Sequence, residues 1–480
     1  MLSPLVVIAC LGASEAPAPL AAYARSAQGK QAYGLYIKGK KAGWSVDEVK
    51  VVEKDGKERL RLHSTMLLDT LFDGVRSKKE SRTTVEYSLE GVGRIEYARH
   101  WKNDDGIVIV REAVANGKTM MITTTQGKNK STREVPIPKD TLEGQRSLEL
   151  WLKEKRKPGD VKEKYTASWE EADVDVKEAY TFRSRKVIAL GGVKTELLSV
   201  ESKSEGASIT ADVFPDGRIY KAQLGGFLEI RLEPEESARK LDGALVDLLD
   251  ATSIVLDKDL GASGEEIDEL VLEVSGADKL KIPVSRRQSV EAGKESLKVT
   301  LTRDRATDAA EPLSAEEVKA LTAATPRLCH EDRKIQALAK KIAARAKDKG
   351  HAARLIADWV HANLRKSYSD NADNALDVLE RKAGACVQHS MLFVSLARAA
   401  GIPAREVGGL AYLKAGKPRL GWHAWAEYHD GKQWVSVDPT WGQQRVDGTH
   451  LKLSEGDRDM AWSNVVGSLR VKVLSYKASE

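Results

Sequence analysis

The chain has 480 residues and carries 76 Lys and Arg against 71 Asp and Glu, a net charge of +5, and at this length it is expected to divide into two or three domains. The two signs are interleaved along nearly the whole chain with no basic block, which excludes a nucleic-acid groove. No apolar run approaches the roughly 18 to 20 residues of a membrane-spanning helix, and three cysteines, Cys10, Cys329 and Cys386, cannot build a disulfide framework.

Residues 1–25 read as a leader and flexible tail. The short apolar stretch Leu5-Val6-Val7-Ile8-Ala9 ends in Val7-Ile8-Ala9-Cys10, which resembles the lipobox of bacterial lipoprotein signals, and Gly12 to Pro19 follows as a tail. That resemblance implies a cell-envelope or periplasmic protein whose membrane attachment is a lipidated Cys10. The apolar core is short and no Lys or Arg precedes it, so an ordinary apolar tail is the competing reading.

Residues 26–235 alternate polar and apolar side chains and are punctuated by Asp55-Gly56, Asn116-Gly117 and Asp216-Gly217, the pattern of antiparallel hairpins. Leu60 and Leu62 alternate with Arg59 and Arg61 in one such strand. A helix near Arg146 to Lys155, stopped by Pro158-Gly159, divides the region into two candidate β subdomains. Residues 236–312 read as a connector, with a short helix around Leu245 to Leu249, and a small β module with strands at Leu270 to Val274, Leu280 to Ile282 and Leu297 to Leu301. The last domain, 313–480, opens on the capping box Ser314-Ala315-Glu316-Glu317. Helix period follows, with Ile335, Leu338, Ala339 and Ile342 on one face and Leu355, Ile356, Trp359 and Val360 on another. The fold class is α+β, an antiparallel β-rich region followed by a C-terminal α+β domain.

In that domain Gly384-Ala385-Cys386 precedes an apolar helical run from Val387 to Ala400, closed by Gly401 and Pro403. Cys386 therefore falls in the first helical turn, where unsatisfied N–H groups and the positive dipole end stabilise a thiolate, the nucleophilic form. Downstream, Asp430-Gly431 taken as a two-residue hairpin turn pairs residues whose numbers sum to 861, which sets His423 directly opposite Asp438. Their β-carbons would lie roughly 4.5 to 5.5 Å apart, close enough for carboxylate to reach imidazole. The same register sends Ala424, Ala426, Tyr428, Val435 and Val437 to the other, apolar face. Singly, each residue has a structural reading; together they form the order helix-borne Cys, strand His, next-strand Asp.

Gly384-Ala385-Cys386-Val387-Gln388-His389-Ser390, the run Leu396 to Arg405, His423-Ala424-Trp425 and Asp438-Pro439-Thr440 resemble the bacterial transglutaminase-like superfamily over about residues 350–455. Trp441-Gly442-Gln443 and Thr449-His450-Leu451 are similar to the tail of many bacterial members. The resemblance implies a papain-like fold and acyl transfer through a thioester, with Cys386 as nucleophile, His423 as base and Asp438 orienting it. It implies a peptide or protein substrate and no cofactor, with hydrolysis ahead of protein-glutamine transfer because no calcium-binding acidic loop is evident. A non-catalytic envelope interaction module is the reading from another class.

Several neighbours carry two readings. His389 stands one turn after Cys386 without a third orienting group, which makes it packing rather than base; a metal site of Cys386, His389 and His423 would lack a fourth ligand. His450 either lines the site or packs. Cys329-His330 are chain neighbours whose side chains should not face each other. Five of the ten tryptophans, Trp422, Trp425, Trp434, Trp441 and Trp462, crowd the last 60 residues, as a cleft wall or as an aromatic core.

Overall fold

The computed structural model of the chain describes residues 20–479 except 170–174, 205–206, 242, 244, 262–266, 279, 308, 369–371, 373, 416 and 457–460. Residues 1–19 of the expected leader and tail, Cys10 among them, lie outside the described residues. Residues 20–25 are not a flexible tail but part of the helix Leu20–Ser26, which buries Leu20, Tyr23 and Ala24 in a hydrophobic core. The chain forms two compact units, one up to Ala251 and one from Thr252, and among the described residues no helix is long and apolar enough to cross a membrane.

The first unit is built by alternation and tight turns. In the strand Lys57–Phe72, Leu60 and Leu62 are buried, while Arg59 and Arg61 reach across to Glu86 on the neighbouring strand. The turn before it is Asp55-Gly56 with both residues at positive φ, 53° and 71°, and Lys54 paired to Lys57. That is the two-residue turn whose twist matches the flanking strands. Asn116-Gly117 differs by one position, since Asn116 pairs with Thr119 and leaves Gly117-Lys118 as the turn.

Eight strands run as a meander from Gly29–Ile37 to Asn129–Pro136, and six more from Val161–Ala167 to Leu228–Glu233. The first strand of the first meander pairs with the last strand of the second, so the two expected subdomains share one antiparallel sheet. The dividing helix, Leu142–Lys153, starts at Thr141, whose side chain caps Gly144 N. It stitches two cores. Leu142 packs with Leu60, Val85, Ile95 and Ile122, whereas Leu148, Trp151 and Leu152, spaced for one helical face, pack with Tyr180, Phe182, Leu198 and Val200.

The second unit places helices against a sheet. Strands Lys417–His429 and Ala404–Ala415 form its centre, joined by Leu451–Glu455, Trp434–Val437 and the short Ile254–Val255. The helix Cys386–Ala399 is buried along most of its length. Its Leu392, Phe393, Leu396 and Ala397 pack against Ala426, Tyr428, Val435 and Val437 from the hairpin, and against Ile335, Ile356 and Val360 from the helices Arg333–Ala343 and Lys349–Asn363. A second sheet takes the strands Ile267–Ser275, Gln288–Ala292 and Leu297–Thr302 and completes itself with the C-terminal strand Arg470–Ala478. The stretch Leu280 to Ile282 is not a strand; Leu280 and Ile282 are buried in the core that this sheet shares with Leu410, Leu420 and Leu451.

Candidate active site

The glycine of Gly384-Ala385-Cys386 is there for space, because a Cβ on Gly384 would fall 2.3 Å from Gln388 Cβ. Gln388 lies over the helix start, its Oε1 accepting from Ala385 N at 3.1 Å and its Nε2 donating to Ala372 O at 3.2 Å. This brace takes up one of the exposed N–H groups of the first turn and leaves Cys386, at the first helical position, partly exposed.

Cys386 faces the His423 ring and the backbone of Ala424, both of which favour its thiolate. His423 Nε2 in turn meets Asp438 Oδ2 at 2.7 Å, so the other ring nitrogen is the one left for the sulfur. The structure thus brings together all three residues singled out in the sequence. Burial pushes the Cys386 thiol up, but the His423 ring and the Ala424 backbone outweigh it and the net shift is downward. Burial also disfavours the His423 cation, and the Asp438 charge overrides it, raising the imidazole well above its ordinary value. Asp438, fully buried, is held far below the usual carboxylate range because His423, and after it His450, outweigh desolvation.

The hairpin that carries His423 and Asp438 differs from the expected one. Ala426 pairs with Val437 and Tyr428 with Val435, so partners sum to 863, and Asp438 follows the last strand residue, diagonal to His423. The cause is the turn. Asp430 Oδ1 accepts from Lys432 N and Gln433 N, both at 2.8 Å, and Asp430 N donates to Gln433 O at 3.1 Å, which closes a four-residue loop in place of a two-residue one. The shift is an even number of residues, so every side chain keeps its face. Asp438 is fixed instead by the chain that follows it. Its Oδ1 accepts from Thr440 N at 2.8 Å and Trp441 N at 3.2 Å, and its backbone exchanges two 2.9 Å hydrogen bonds with Gln443.

Trp441 stacks on His423, with ring centroids 4.2 Å apart and planes 11° apart. Trp425 is fully buried beside it, packed with Val407 and Val446. Trp422 donates to Thr252 O at 3.0 Å, and Trp434 lies under the Arg405 guanidinium. Of the four tryptophans in this C-terminal group whose side chains are described, then, Trp441 and Trp425 flank the site and the other two serve packing.

His389 is buried and turned to the backbone, with Nδ1 on Ala385 O at 2.9 Å and Leu364 as a second backbone partner, and burial lowers its pKa. Cys329 Sγ donates to Pro326 O at 2.9 Å in a loop of its own. Neither described cysteine forms a disulfide. Among the described residues the donor atoms close enough together to share a metal ion are those of His423, Asp438 and His450, within 4.8 Å, a different set from Cys386, His389 and His423. Sequence reasoning missed Asp447 and Arg287, which brace His450, and Gln288, which braces Lys452 two residues on. Asp447-Gly448-Thr449-His450 held a usable signal, a side chain that caps its own turn; Arg287 and Gln288 held none, lying some 160 residues from the loop they support.

The sequence profile of the Transglutaminase-like superfamily matches residues 336–439, a span that includes Cys386, His423 and Asp438. No curated protein matches the chain. Among solved structures it is similar to a candidate cysteine protease from Cytophaga hutchinsonii, 19% identical over 45% of this chain and 87% of that one, with a TM-score of 0.29. It is also similar to a candidate protease from Parabacteroides distasonis, 13% identical over 78% of this chain and 68% of that one, with a TM-score of 0.20. The C-terminal third of the chain therefore carries a transglutaminase-like domain.

Proposed function

We propose that this domain is a thiol-dependent acyl-transfer enzyme that hydrolyses peptide or protein amides, with Cys386 as nucleophile, His423 as base and acid, and Asp438 as the group that orients His423. The observation that carries the reading is the 2.7 Å contact between His423 Nε2 and Asp438 Oδ2, with Cys386 at a helix start against the same ring. A lowered thiol and a raised imidazole favour the thiolate–imidazolium pair, so the nucleophile is ready before substrate arrives.

In this reading the Cys386 sulfur forms a bond to the amide carbonyl carbon and the carbonyl electrons move to oxygen. The backbone N–H of Cys386, at the helix start, is the natural donor to that oxyanion. As the carbonyl reforms, the C–N bond breaks and His423 passes its proton to the departing nitrogen, leaving a thioester. Water then attacks with His423 as base, and its collapse releases the carboxylic acid and regenerates the thiol. Asp438 keeps the ring in the tautomer that serves both halves.

Intact mass spectrometry after incubation with an amide acyl donor and with a thiol-reactive probe tests this. One acyl mass per chain is expected in the native protein and none in Cys386→Ala. An acyl adduct of equal size on the alanine variant would end the reading. Incorporation of a primary amine into a glutamine substrate would move the activity to protein-glutamine transfer, and no acylation at all would favour a non-catalytic interaction module.

A further inference from the structure

We propose that His450 is a positioning residue for the triad, holding the Asp438 carboxylate in the orientation that His423 needs; the proposal rests on the acyl-transfer reading above. Asp438 meets two imidazoles on one oxygen, His423 Nε2 at 2.7 Å and His450 Nε2 at 3.4 Å, both on Oδ2. Its Oδ1 is pinned by the backbone N–H groups of Thr440 and Trp441. Without His450, Oδ2 would be held by the one ring that has to carry a proton through the reaction. His450 supplies a contact on that oxygen from a ring that takes no part in the transfer.

His450 is anchored for this. It is fully buried, and its Nδ1 faces Asp447 Oδ1 at 3.2 Å. Asp447 is itself clamped, accepting from Thr449 N and Thr449 Oγ1 at 2.6 Å each and from Gln443 Nε2 at 2.7 Å. The carbonyl of His450 accepts from the buried Arg287 guanidinium. Two residues on, the backbone of Lys452 exchanges two 2.8 Å hydrogen bonds with the Gln288 side chain. Trp425 and Trp441 set their rings nearly edge-on to the imidazole at 5.2 and 5.3 Å. All of these supports except Trp425 come from outside residues 336–439, the span of the family match.

Asp438 Oδ2 can only accept, so the ring nitrogen that holds it must donate, and His450 Nε2 presents an N–H to that oxygen. The other charged or titratable groups around the pair are His423, Asp447 and His389, which feels the Asp438 charge from the helix Cys386–Ala399, with Cys386 beyond His423 and Arg287 on the His450 carbonyl. Removing His450 therefore does two things. It takes away one of the two contacts that hold Oδ2, which slows proton transfer, and it removes an N–H from that oxygen, which strengthens the hold on the His423 proton.

The test is single-turnover acylation against pH for His450→Leu and His450→Gln, with the histidines of the unmodified protein read by 15N NMR. His450→Leu is expected to acylate about tenfold more slowly at saturating acyl donor, the rate equivalent of one hydrogen bond to a charged group. Its alkaline limb should move to higher pH, and His450→Gln, which keeps an N–H within reach, should recover most of the rate. A merely structural role would lower the melting temperature and leave the limb where it was. Acylation by His450→Leu at the native rate with an unmoved limb overturns the proposal. So does a native His450 whose Nε2 carries no proton, a result that needs no variant to fold. If the native protein is not acylated at any pH, the parent reading falls instead, while the 15N signals still report whether His450 donates to Asp438.

Discussion

Asp140 in the first unit and Asp438 in the second are both buried carboxylates under several hydrogen bonds, and their pKa values move in opposite directions. In the first unit Asp140 accepts from Tyr87 Oη at 2.9 Å, Gln145 Nε2 at 3.0 Å and Ala167 N at 3.0 Å. All three donors are neutral, burial dominates, and the carboxyl is pushed up. In the second unit Asp438 is buried as deeply, yet two imidazoles share its Oδ2 and the carboxyl is driven down. Neutral donors make a buried acid a fastener, here tying the strands Val75–Ser88 and Val161–Ala167 to the start of the helix Leu142–Lys153. Ionisable donors make it a fixed charge against which a neighbouring proton is held.

The sharpest way to break that contrast is to remove each charge. Asp438→Asn should slow acylation on the order of 10³- to 10⁴-fold, because the amide can hold His423 in the wrong tautomer, while thermal melting changes little. Asp140→Ala should do the reverse, lowering the stability of the first unit by about 3 kcal/mol through the donors left unpaired, with acylation per folded molecule unchanged. Denaturant titration followed by tryptophan fluorescence, beside single-turnover rates, separates the two. An Asp140→Ala protein that folds normally but fails to acylate would erase the distinction.

pH sharpens it further. Activity needs Cys386 deprotonated and His423 protonated, so the rate should fall below the lowered thiol pKa and above the raised imidazole pKa, giving a broad plateau between. Stability should respond with opposite signs. The folded pKa of Asp140 is raised, so the stability it contributes is full below the unfolded value of about 3.9 and is lost as pH rises through the folded value. That of Asp438 is lowered, so its contribution is present above about 3.9 and is lost as pH falls through the folded value. Unfolding free energies of Asp140→Asn and Asp438→Asn between pH 3 and 8 should therefore differ from the native curve in opposite directions.

How much of this was legible in the sequence is clearest where one dipeptide occurs in both units. Asp55-Gly56 and Asp430-Gly431 both read as two-residue turns, and the first is one, with both residues at positive φ. In the second, Gly431 alone is at positive φ, because Asp430 turns its carboxylate onto Lys432 N and Gln433 N. Period-two alternation located the faces correctly in either case, since parity survives a two-residue slip. It could not fix the register, which a side-chain-to-backbone bond decides. The Cys386 helix was legible because a buried apolar run, its glycine stop and its N-terminal Gly-Ala-Cys all agree. The support of Asp438 by His450 was not, because Arg287 and Gln288 reach it from a different sheet, and contacts that distant leave no local pattern.

The smallest expected effect tests what holds the triad carboxylate. Gly56→Ala and Gly431→Ala each force a side chain into left-handed backbone, at a cost of about 1 kcal/mol, and in both places the added carbon meets open space. Gly56→Ala should lower the stability of the first unit alone. Gly431→Ala strains the very turn that sets the His423 hairpin, yet acylation per folded molecule should stay within about twofold of native. Asp438 lies past the paired strand and takes its position from Thr440, Trp441, Gln443 and His450 rather than from a partner opposite it. If Gly431→Ala instead lost acylation as fully as Asp438→Asn, the hairpin register would be the positioning device, and the loop from Thr440 to His450 would only follow it.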